Sequence, residues 1–330
     1  MNDNEQNDLV KMKSETGERK VAGLETTWYS KLFARGREYI KNNWLVTLLL
    51  LVIVVALPIV KTSGIYISVE GAPEANLILG ILLLLAGLLA GWLGGLIGTG
   101  GCAILLPVFT FWLGYSAPVA IGTTLFVVIF TALSGGYGHY RQGNMDIGAV
   151  AWMAPAGVAG VLIGSWLFTL LADRTDLICF ILGIIFLIPT VRMIWEGVSP
   201  ESREFSHLKI GRNLKGMSVF SMLVGLLSGL VGLGGGYLLV PGLIYIFAVP
   251  VYVTMGTSLA TVFPLALVGG GIKLVQGYVA LDAALLVAAG TIIGAQISAA
   301  TIKKYKPATL KLIFGLYFLY AACKFIMAYI

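Results

Sequence analysis

The sequence predicts an all-α integral membrane protein: a polytopic helical bundle of two inverted repeats, with glycine-rich broken-helix hairpins and one extra N-terminal helix. Three observations carry this reading. Of the 330 residues, 58% are hydrophobic and only 12% charged, about half the charged share of a soluble domain. The apolar stretches are continuous rather than alternating, so in lipid their backbone polar groups are satisfied within helices and not in a barrel. Part of the chain also recurs 134 residues further on.

The elements follow in order. Residues 1–43 are polar, and too long and too acidic for a secretory signal peptide; they read as a cytoplasmic, mostly disordered tail with an interfacial helix near Trp28–Ile40. Apolar runs of spanning length, about 20 residues, lie at 44–60, 76–97, 118–140, 147–171 and 177–195, and after a polar linker at 217–233, 253–275, 282–302 and 308–329. Two shorter runs, Cys102–Tyr115 and Gly236–Val249, each follow a glycine cluster. The chain thus divides into a tail (1–43), an extra transmembrane helix and loop (44–75), a first repeat (76–195), a cytoplasmic linker (196–216) and a second repeat (217–330). Pro107 and Pro241 are expected to kink or end the short helices, and Pro155, Pro189 and Pro264 to interrupt longer ones. Trp44, Trp195 and Tyr305 read as interfacial anchors.

The repeat is specific. GLIGTGGCAILLP at Gly95–Pro107 falls on GLVGLGGGYLLVP at Gly229–Pro241, and the register holds without a gap through Gly143 and Gly277, with 18 identities in 49 pairs. Shared apolar composition accounts for matching Leu and Val, but not for glycines, a proline, hydroxyls and a glutamine in one register. With a hairpin at each glycine cluster, every half crosses five times, and 18 of the 22 Lys and Arg share one face with the N-terminal tail. The positive-inside rule makes that face cytoplasmic and the halves inverted. Inverted repeats with broken helices are the architecture of secondary transporters, with the solute bound near the midplane.

Candidate binding residues follow from the same pattern. At Thr99, Gly100, Gly101 and Cys102, and at Gly234, Gly235 and Gly236, the glycine cluster opens a short helix. Close backbone approach and the positive helix end suit an anion there. Thr123, Thr124, Thr257 and Ser258 place neutral hydroxyls at matching points early in the next helix, and Gln142 and Gln276 recur at its far end. The alternative roles are packing of small residues for the glycines, hydrogen bonds to helix backbone for the hydroxyls and interfacial capping for the glutamines. His139, Arg141 and Lys273 lie near helix ends and are expected to snorkel to the interface. Asp146 and Asp282 precede apolar runs and are expected to cap them.

Composition excludes other classes. Cys102, Cys179 and Cys323 have neither disulfide nor metal-ligand spacing, and His139 and His207 form no HExxH motif. No metal, cofactor or enzymatic activity is therefore expected. The net charge of +6 resides on the flanks of spans, which removes nucleic acid as a partner.

The duplicated segments at Gly98–Cys102 and Gly232–Gly236, each followed by an apolar helix and a proline, with Gly122–Thr124 and Gly256–Ser258, resemble the TauE/SafE sulfite exporter family, also called the 4-toluene sulfonate uptake permease group. The resemblance covers about residues 76–327, with Cys102 where a last glycine is usual. It implies a multi-pass cell-membrane permease for sulfite, sulfonates or related organosulfur anions. The expected partners are that small anion and the lipid bilayer, with homo-oligomerisation left open. An anion channel, a permease for another small organic anion and a membrane-embedded enzyme are the alternative readings.

Overall fold

The computed structural model describes residues 43–63, 69–73, 76–171, 213–232, 234–302 and 307–327, with scattered positions from 174 to 198. The expected tail and its interfacial helix, most of the linker, Cys179, Pro189 and Tyr305 lie outside the described residues. Every described element is helical. They are α1 (Trp44–Ser63), α2 (Leu77–Ile97), α3 (Cys102–Pro107) with a π-helical turn (Val108–Trp112), α4 (Ala117–Arg141), α5 (Ile147–Leu171), α6 (Leu214–Val231), α7 (Gly236–Tyr245), α8 (Val251–Val275), α9 (Leu281–Thr301) and α10 (Pro307–Met327). Among the described residues six helices are long and apolar enough to cross a membrane: α2, α4, α5, α6, α8 and α9. The chain is a multi-pass membrane protein.

Local chemistry sets the boundaries. Asn76 and Asn213 cap α2 and α6 by accepting from Leu79 N at 2.7 Å and Gly216 N at 3.0 Å. The second repeat thus starts at Leu214, just before the end expected for the linker. Asp146 caps α5 as expected, accepting from Ala149 N at 3.0 Å, whereas Asp282 lies inside the first turn of α9. Pro107 ends α3, but Pro155 and Pro264 sit within unbroken 25-residue helices, contrary to the expected interruption. A tolerant lipid-embedded helix with packed neighbours accommodates the lost hydrogen bond there.

The halves are inverted and interleaved. Thr123, near the start of α4, accepts from Ala280 N just beyond the end of α8 at 3.1 Å. Thr257, near the start of α8, accepts from Asp146 N just beyond α4 at 2.9 Å. The two bonds are one repeat interval apart at both ends, and they require α4 and α8 to run antiparallel. The hairpin of α2 and α3 returns to the side it entered from, since Ser116 N donates to Gly71 O at 2.8 Å.

Each repeat's first helix packs against the fourth helix of the other repeat. α2 meets α9 where Gly87, Gly91, Gly290 and Gly294 lie on the opposing backbone, and α5 meets α6 through Gly160, Gly164, Gly225 and Gly229. Small residues four apart let these backbones touch, which in lipid replaces the hydrophobic effect as the source of helix association. The large apolar side chains Leu82, Leu85, Trp166 and Leu223 face outward, as lipid contact requires.

Candidate functional site

The two glycine turns have matching backbone conformations. Gly98, Gly100 and Gly101 have φ of 79°, 72° and 79°; Gly232, Gly234 and Gly235 have 73°, 64° and 79°. This left-handed run reverses the chain within four residues, and Gly101 and Gly235 then serve as N-caps of α3 and α7. The tips meet inside the bundle. Gly100 and Gly234 both rest on the Val128 side chain of α4, Gly234 also adjoins the Cys102 sulfur, and Gly236 lies against the Thr99 backbone. All of these residues are buried. Thr99, Gly100, Gly101, Cys102, Gly234, Gly235 and Gly236 are thus brought together, as the repeat suggested.

The hydroxyls fasten each tip to the opposite repeat. Ser258 donates to Gly98 O at 2.9 Å, and Thr124, whose main acceptor is Ala120 O at 2.7 Å, reaches Gly232 O at 3.5 Å. These contacts are again one repeat interval apart, and each ties the end of a first helix to the start of the other half's third helix. Thr123 and Thr257 accept from backbone amides, which leaves each hydroxyl proton available for donation. The Cys102 thiol donates to Thr99 O at 3.2 Å, whereas its counterpart Gly236 lies too close to the Thr99 backbone for a side chain.

Gln142 and Gln276 are not part of the tip cluster. Gln142 caps the exposed end of α4 and donates to Ala299 O, and Gln276 caps α8. An asymmetric polar bridge lies between α4 and α9, where Gln296 Nε2 donates to Ser134 O at 2.6 Å and Ser134 donates to Ile292 O at 3.0 Å. Sequence reasoning missed it because neither residue has a polar counterpart in the other repeat.

Two expectations are overturned. His139 and Lys273 do not snorkel; both have 0% exposure, while Arg141 is exposed and reaches over Tyr137 as expected. His139 faces Gly95 of α2. Lys273 Nζ stands 3.0 Å from the centre of the Phe168 ring of α5. Neighbouring helices cover both ends of these spans, so the stems point into protein and not along a lipid boundary. A signal was available, since the repeat register places His139 on Lys273.

Among the described residues no group of His, Cys, Asp and Glu could hold a metal. The chain matches the sulfite exporter TauE/SafE family over residues 82–325. It is 26% identical over 268 residues to the probable membrane transporter protein YunE of Bacillus subtilis, covering 74% of this chain and 97% of that one. It is 28% identical over 221 residues to the probable membrane transporter protein YdhB of the same species, covering 66% and 89%. A probable membrane transporter protein of Methanocaldococcus jannaschii, MJ0441, is 26% identical over 250 residues, covering 70% and 89%. No solved structure matches the chain.

Proposed function

This chain belongs to the sulfite exporter TauE/SafE family and is a membrane transporter; from that premise we propose that it carries small sulfur oxyanions, sulfite and sulfonates among them, by alternating access around the two glycine tips. The observation that supports this most is the meeting of the tips at Val128, with Gly236 on the Thr99 backbone. Two helix starts from inverted halves converge there, and a helix start favours negative charge. The anion is held by backbone N–H groups of Gly100–Cys102 and Gly234–Gly236, with Thr123 and Thr257 as hydroxyl donors, while the Thr99 amide, Thr124 and Ser258 bond backbone carbonyls and hold the tips in place. Neutral donors keep the complex weak enough to release its cargo. Gln142 and Gln276, at opposite ends of the central helices, flank the two mouths of the route. The protein resides in the cell membrane with its N-terminus in the cytoplasm, supported by the concentration of Lys and Arg on that face.

The test is radiolabelled sulfite uptake into liposomes holding the purified protein, with unlabelled sulfonates, sulfate and thiosulfate as competitors. Saturable, competed uptake and counterflow are expected. Flux that rises linearly with concentration and shows no counterflow would make the protein a channel. The absence of any sulfur-oxyanion flux in folded protein would overturn the substrate assignment.

A further inference from the structure

Both glycine tips close on one side chain. Val128 lies midway along α4 and is 0% exposed. Its Cγ1 is the atom nearest the Cβ position of Gly100, at 3.2 Å, and of Gly234, at 3.0 Å. Its repeat counterpart, Val262 of α8, is equally buried but is not among the nearest atoms to either glycine. The other side chains beside these two positions are Leu259 and Cys102, and the Cys102 thiol is turned to Thr99 O. The contact shared by the tips is therefore apolar. It is also rigid, since a valine in a helix holds one strongly preferred rotamer.

Buried donors surround this contact. The backbone N–H groups of Gly100, Gly101, Gly234 and Gly235 are buried and make no hydrogen bond among the described residues. The Ser228 side chain lies against Gly235, and its hydroxyl, also 0% exposed, has no partner. Buried donors without acceptors are rare in folded proteins, so these suit a ligand that brings oxygens. An oxygen directed at Val128 itself, however, meets only methyl groups and loses its hydration without replacement. Sulfite and the sulfonates carry their oxygens on one side of sulfur, with a lone pair or a carbon on the other. Sulfate has a further oxygen there.

We propose that Val128 is the specificity-determining residue of the tip site, the wall on which the oxygen-free side of the anion rests, so that sulfite and sulfonates are accepted and sulfate is refused. This deepens the anion-transporter reading above and rests on it. The refusal is steep because a hydrogen bond lost by a charged group costs more than one lost by a neutral group.

Anion binding to purified, detergent-solubilised protein tests this, with sulfite, methanesulfonate and sulfate as probes. It is followed as a saturable rise in melting temperature at constant ionic strength, with chloride as the balancing anion. Wild type is expected to bind sulfite and methanesulfonate, and sulfate about ten-fold more weakly or worse. V128A opens room for a water to donate to the fourth oxygen of sulfate, and should narrow that gap several-fold. V128I extends the wall toward the tips, and should weaken methanesulfonate several-fold relative to sulfite. Ratios of affinities are read because a purely structural defect lowers all three together. Sulfate bound by wild type as tightly as sulfite would overturn the proposal, as would wild-type ratios in both variants; a shifted ratio in either supports it. If V128A does not survive purification, V128I decides: an unchanged ratio of methanesulfonate to sulfite overturns the wall, and a lowered ratio supports it. Wild-type protein that binds none of the three anions overturns both the wall and the transport reading. Selective, Val128-dependent binding in a protein that gives no sulfite flux in liposomes would support the wall while overturning the transport reading.

Discussion

At the scale of single residues, the glycines at the tips combine two requirements that no other residue meets. Gly100 and Gly234 have φ of 72° and 64°, and a Cβ on either would press on Val128. A β-branched residue in that conformation costs about 1–3 kcal/mol in backbone strain alone. Gly100→Val and Gly234→Val are therefore expected to abolish uptake while the protein still reaches the membrane; normal uptake by either variant would sink the tip assignment. The hydroxyls make a subtler contribution. Ser258 holds Gly98 O across the repeats, and Ser258→Ala removes that bond. Interhelical hydrogen bonds in membranes average about 0.6 kcal/mol, so the thermal midpoint of S258A should fall only slightly while uptake falls more steeply. A large fall in midpoint with unchanged uptake would assign Ser258 to stability alone.

At the scale of elements, association rests on close backbone contact. Gly225 of α6 lies on the backbone of Gly157, and Gly91 of α2 on that of Thr291. Gly225→Leu and Gly91→Leu would force these helix pairs apart, and both variants should yield little monodisperse protein on size exclusion. Gly271 of α8 has open space around its Cβ position, so Gly271→Ala should purify like wild type and melt at or slightly above its temperature. Aggregation of G271A alongside stable G91L would show that the packing account is wrong. The short elements follow another rule. α7 has ten residues and α3 with its π-turn, Cys102–Trp112, is only one residue longer, about half the length needed to cross the hydrocarbon, so each needs a partner hairpin arm to remain buried.

At the scale of the molecule, the exchange of fourth helices changes what can move as a body. α9 belongs by sequence to the second repeat but packs on α2 and α4, while α5 belongs to the first and packs on α6 and α8. Rocking of one sequence repeat against the other would tear these pairs open. The bodies consistent with the packing are α2, α3, α4 and α9 on one side and α5, α6, α7 and α8 on the other, hinged where α4 meets α8. A disulfide within one body, S134C/Q296C, should leave uptake intact. One across the two, G136C/A260C, placed where the Gly136 Cβ position meets the Ala260 backbone at 3.7 Å, should stop uptake until it is reduced. Full uptake by the oxidised G136C/A260C protein would rule out this division.

The sequence by itself determined the class, the six long spans the structure describes, the duplication and its inversion, because lipid demands runs of a set length and a gap-free repeat preserves register. The bounds of α4, α5, α8 and α9 differ from the apolar runs by two residues at most. It also singled out the tip glycines, since their spacing is a backbone property that two copies display twice. Only the tertiary structure decided what the buried polar groups touch. Thr123 and Thr257 bind amides on the opposite repeat, Gln142 and Gln276 cap helix ends away from the tips, and Lys273 turns inward onto Phe168. Such contacts join residues more than a hundred positions apart, and whether a polar end of a helix faces lipid or protein depends on a neighbour that local sequence does not specify.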